Sequence, residues 1–141
     1  MANSSVHLSQ ARHNEEVADR LISDPPYHDW AITAGFYAAI HYFESWLFNK
    51  PEQHSETSRP KNPNGSLPSV HAWRLHLIQQ KLTPEAFKSY EKLKVSSENA
   101  RYLDFPNALA NFTAFDYFTP TEAEKLVRKN LGVFKGELNI Q

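Results

Sequence analysis

From Trp30 to Phe48 the chain runs nineteen residues without a proline and with one formal charge, Glu44. Placed at 100° per residue, Ile32, Phe36, Ile40, Phe43 and Leu47 form a broad heavy stripe. Ala34, Ala38, His41 and Ser45 form a narrow opposite stripe of small side chains. A helix that is apolar on two sides is buried on two sides, so this segment reads as the central helix of a bundle. Asp29 stands where its carboxylate can cap the first free N–H groups. The small stripe lets a partner helix approach closely or leaves room for something to bind.

The flanking patterns are also helical. Residues 8–23 place Ala11, Asn14, Val17, Ala18 and Leu21 on one stripe, and Asp24-Pro25-Pro26 stops the helix. Residues 49–68 contain four prolines among Asn, Ser and Gly. Such a long connection in a compact domain reads as functional or mobile. A third helix is predicted over 69–80, with Val70, Trp73, Leu77 and also Leu75 and Ile78 supplying apolar contacts. Thr83-Pro84-Glu85 opens a fourth, with a capping hydroxyl, a proline at the first helical position and an acid near the positive end of the dipole. Its inward stripe is Phe87, Tyr90, Leu93, Ser97 and Ala100, with Arg101 beside it. Residues 103–118 are aromatic without clear period; Pro106 is expected to start a helical turn capped by Asp104. In Thr119-Pro120-Thr121-Glu122 the threonine and glutamate can satisfy each other's backbone donors. Ala123, Val127, Leu131, Phe134 and Leu138 then form the stripe of a last helix. No segment alternates with period two. The expected fold is all-α, a four- to five-helix antiparallel bundle in a single domain over 1–141.

Composition narrows the function classes. The chain of 141 residues is 40% apolar and 22% charged, ordinary values for a globular protein. It has no cysteine, which removes disulfides, thiolate metal sites and cysteine nucleophiles. The N-terminal MANSSVHLSQARHNEE lacks a basic stretch followed by an apolar run, so no signal peptide is expected. Thr33, Gly35, His41, Glu44 and Ser45 interrupt the central apolar segment, so no membrane span is expected and the location reads as cytoplasmic. Charge is uneven: residues 1–58 sum to −5, with three basic and eight acidic side chains, while 59–94 sum to +5, with seven and two. The basic middle third can serve phosphate groups, or the two opposite faces simply attract within a monomer or dimer.

Three places carry candidate chemistry. His41, with Glu44 one turn on, is either a hydrogen-bonded core histidine or a group for proton transfer near neutral pH. His71 and Arg74 share one helix face, as a solvated helix start or a guanidinium and imidazole for phosphate. Arg101, near an inward stripe, needs a partner. That partner is an internal acid such as Glu44 or Asp104, or a bound phosphate. No glycine loop cradles phosphates, no Glu-x-x-His pair recurs on two helices, and no metal or cofactor is expected.

Together, Asn14, the helix DWAITAGFYAAIHYFESWL, the segment SVHAWR (69–74) after a loose loop, and Tyr90-x-x-Leu93 followed by ARY (100–102) resemble HEPN-domain proteins. The likeness covers most of residues 11–102. It implies a small helical bundle that often pairs as a homodimer. Many members of that family are metal-independent ribonucleases, frequently in toxin–antitoxin or antiviral systems. Others bind nucleotides, RNA or a partner protein without catalysis. Catalytic members carry an arginine and a histidine with four to six residues between them; no histidine follows Arg101 here. The site suggested by the likeness therefore draws on different helices. His41 and Arg101 form the candidate catalytic pair, facing each other across the core, and His71, Arg74 and Tyr102 form a phosphate- or nucleic-acid-binding set. The leading expectation is a noncatalytic module that binds nucleic acid or nucleotide. The alternatives are a metal-independent ribonuclease with a rearranged site and a structural module for a partner from a neighbouring gene.

Overall fold

The computed structural model describes residues 2–105 and 111–140. Every regular element among them is a helix: α1 (Ser4–Ile22), α2 (His28–Leu47), α3 (Val70–Lys81), α4 (Pro84–Tyr102), α5 (Ala114–Tyr117) and α6 (Pro120–Glu137). The architecture is an all-α bundle. None of these helices is long and apolar enough to cross a membrane.

The start signals act locally. Ser69, Thr83 and Thr119 each accept a hydrogen bond from the backbone N–H three residues on, and each such cap stabilises its helix by about 1 kcal/mol. Two starts differ from expectation. Asn3 caps α1 through the Val6 N–H at 3.0 Å, so this helix begins four residues earlier than its apolar stripe indicates. Asp29 does not cap α2. That helix begins at His28, and Asp29 lies buried inside the first turn, where its charge still suits the dipole. The turn expected at Pro106 lies outside the described residues. The short α5 falls in the aromatic segment that showed no period; its Thr113 cap, not hydrophobic spacing, marks it.

α2 is the central element. All five residues of its heavy stripe are buried, and α1, α4 and α6 pack around it. α1 lies antiparallel along the small stripe: Ser4 Oγ donates to the Ser45 carbonyl at 2.9 Å, and His7 meets His41. On the α6 side, a Cβ on Gly35 would stand 3.0 Å from Val127, so the absent side chain permits the close approach. Thr33 and Phe36 meet Ser97 and Tyr90 of α4, again antiparallel. At the start of α2, the buried His28 Nε2 faces the Phe115 and Phe118 carbonyls and holds α5 in place. The last stripe behaves as its spacing predicts, with Ala123, Val127, Leu131, Phe134 and Leu138 all buried.

The long connection is tied down in its middle. Ser55 is fully buried and its N–H donates to Glu44 Oε2 at 3.1 Å. Trp73 Nε1 donates to Ser58 Oγ at 3.0 Å, and Lys81 pairs with Glu52 at 2.7 Å. These bonds hold the 49–68 segment against α2 and α3 and carry His54 inward.

Candidate functional site

Burying a carboxylate demands compensation, and Glu44, only 1% exposed, sets the frame of the polar centre. Arg74 Nε donates to Glu44 Oε1 at 2.8 Å, and both groups are buried. Burial alone would push the Glu44 carboxyl up; hydrogen bonds from Ser55 and Arg74 outweigh it and hold it below the usual carboxylate range. Glu44 Oε2 also lies 3.6 Å from His54 Nε2.

From His54 a line of imidazoles leads outward. His54 Nε2 lies 3.1 Å from His7 Nε2, and His7 Nδ1 lies 3.0 Å from His41 Nδ1. His7 thus touches its neighbours through opposite nitrogens, so the three rings form a chain and do not converge on one point. Among the described residues, no group of three histidine, cysteine or carboxylate side chains is arranged to hold a metal ion. Burial, then the neighbouring His54 and His41, hold the His7 imidazole below its ordinary range. Burial, then the Arg74 guanidinium, does the same for His41.

His41 also lines an open cleft of about 580 Å³ between α1 and α2. Gln10, Asn14, Val17 and Leu21 form one wall; Trp30, Thr33, Ala34, Tyr37 and His41 form the other. The cleft lies along the small stripe of α2, where Ala34 replaces a bulky side chain. Trp30 is 55% exposed, an uncommon setting for so large an apolar ring. Arg101 approaches from α4: its Nη1 donates to the Tyr37 hydroxyl at 3.5 Å and its Nε to the Ser97 carbonyl at 3.3 Å. Its guanidinium stands over the Tyr37 and Tyr102 rings, 5.8 and 5.1 Å from their centroids.

The predicted residues divide between two places. His41 bonds to His7 and not to Arg101, and Arg101 reaches Tyr37, one turn earlier on α2. Glu44, one of the acids expected for Arg101, is taken by Arg74; Arg101 makes no ion pair among the described residues. Arg74 is therefore neither at a solvated helix start nor open to ligands, because a buried carboxylate holds it. Its Nη1 contacts His71 Nδ1 at 3.4 Å, while His71 itself sits on the exposed first turn of α3 against Phe36. Tyr102 is 70% exposed beside Arg101. The sequence pattern marks Tyr37 as a polar neighbour of His41 but assigns no site role to His7, Gln10 or Trp30. His7 lies one turn before Ala11 on the α1 stripe, and beginning that helix at residue 8 hid it. His54 stands in an aperiodic loop and has no positional signal. Comparison of the chain with protein-family models, with curated proteins and with solved structures finds no match.

Proposed function

We propose that the protein is a HEPN-like module that binds nucleotides or single-stranded RNA without cleaving it, through the cleft between α1 and α2. The observation that carries this reading is the lining of that cleft. Two aromatic rings, Trp30 and Tyr37, offer stacking faces, and Gln10 and Asn14 offer amide donors and acceptors on the opposite wall. Arg101, without a carboxylate partner among the described residues, stands at Tyr37. Stacking platforms beside an unneutralised guanidinium match the needs of unpaired bases and their phosphates. The likeness of Asn14, FYAAIHY and ARY to HEPN-domain proteins points the same way. It also supports a homodimer and a setting in toxin–antitoxin or antiviral systems as part of the proposal.

The test is a titration of fluorescently labelled single-stranded RNA with the protein in EDTA at two salt concentrations. Binding that weakens steeply with salt, with the RNA left intact, is expected. Cleavage in EDTA would instead favour a metal-independent ribonuclease. Absence of binding would leave a structural or protein-partner role.

A further inference from the structure

The imidazoles behind the cleft are hydrogen-bonded in series, and the series decides which nitrogen of each ring carries its proton. A neutral imidazole has one N–H and one bare nitrogen. The Glu56 backbone N–H donates to His54 Nδ1 at 3.1 Å, so that nitrogen is bare and the His54 proton is on Nε2. His54 Nε2 lies 3.1 Å from His7 Nε2, which must accept. The His7 proton is then on Nδ1, 3.0 Å from His41 Nδ1, which also accepts. The His41 proton is left on Nε2. That atom has no hydrogen-bond partner among the described residues and is not fully buried, and its ring lines the cleft.

The opposite order fails at its inner end. It would put a proton on His54 Nδ1, facing the Glu56 N–H, donor against donor. Glu44 Oε2, 3.6 Å from His54 Nε2, adds a second reason for the proton to stay on that nitrogen. Burial favours the neutral forms of His7 and His41.

We propose that the chain His54–His7–His41 locks His41 as a hydrogen-bond donor toward the α1–α2 cleft, so that the cleft selects an acceptor oxygen there. On the nucleotide reading above, on which this ligand class rests, that oxygen belongs to a phosphate. His41 is thus a binding residue. A base for a ribose hydroxyl needs a bare nitrogen facing the ligand, and the chain denies His41 that form.

Imidazole ¹H–¹⁵N correlation spectra of the labelled protein near neutral pH test the lock directly, with adenosine 5′-monophosphate and adenosine as probes. Protons on Nε2 of His54, Nδ1 of His7 and Nε2 of His41 are expected. The monophosphate should shift the His41 Nε2 resonance and bind about tenfold more tightly than adenosine. The variant H54F, which removes the first donor, should leave His41 as a mixture of tautomers. A His41 proton on Nδ1, or monophosphate binding that leaves His41 unmoved, overturns the proposal. Failure of the nucleotide reading has a different signature. Neither probe would perturb any cleft resonance while all three tautomers are as derived, which removes phosphate as the selected ligand and keeps the donor.

Discussion

Arg74 Nε and Glu44 Oε1 are joined at 2.8 Å in a part of the core that water hardly reaches. Each group makes the other's burial tolerable. Removing the cation alone strands a buried carboxylate, a change that typically costs about 3–5 kcal/mol. Arg74→Met should therefore destabilise the protein by about 3 kcal/mol or more in urea unfolding. Pairing it with Glu44→Gln should cost less than the two single changes summed, because no uncompensated charge is left. Additive costs would mean that the pair is not coupled.

Stability should decline in acid in two stages. His7 and His41 have folded pKa values below the ordinary 6.5. Between those folded values and 6.5 the unfolded chain binds more protons, so stability is complete above that range, falls as pH drops through it and levels off below it. Glu44 is held below 4.5 when folded, so the unfolded chain takes up its proton first and a further loss follows as pH falls toward its folded value. Urea unfolding at about pH 5 and about pH 7.5 measures the first stage. The double variant His7→Gln/His41→Gln should flatten it. An unchanged slope would place the titration elsewhere.

Trp30 separates binding from folding. It is 55% exposed, so Trp30→Ala should change stability by no more than about 0.5 kcal/mol. Loss of one stacking platform should nevertheless weaken RNA binding by about fivefold or more. A large loss of stability with unaltered binding would assign the ring to packing.

Arg101 should report phosphate contact through salt. Arg101→Gln removes a guanidinium that has no carboxylate partner among the described residues. Its effect should be a reduction of the salt slope by about one for an RNA ligand, with little change in unfolding. An unchanged slope would confine Arg101 to its contacts with Tyr37 and Ser97.

The helices were legible because their signals are local. Ser69, Thr83 and Thr119 are short-range caps, and the stripes of α2 and α6 repeat often enough to show which face is buried. The small stripe of α2 also indicated either a close helix or an open space, and the structure shows both: α1 packs along it, and the cleft opens beside Ala34. Partnership was not legible. Arg74 and Arg101 both lay near inward faces, and the sequence did not determine which of them Glu44 would hold. The bond was settled by the loop, which buries Ser55 against Glu44 next to α3. His7 lay just outside the stripe, and His54, although one of the scattered histidines weighed as metal ligands, lay in a segment without period that gave it no position. Their meeting is a product of tertiary packing, separated by 47 positions in the chain.

On the proposed function, the α1–α2 cleft binds unpaired nucleotides. The most direct measurement is a side-by-side anisotropy titration of labelled single-stranded RNA in EDTA against the unaltered protein and Trp30→Ala. Salt-sensitive binding of intact RNA is expected, weakened about fivefold or more by Trp30→Ala while the unfolding curve is unchanged. Equal binding by the two proteins, or binding by neither, would contradict it.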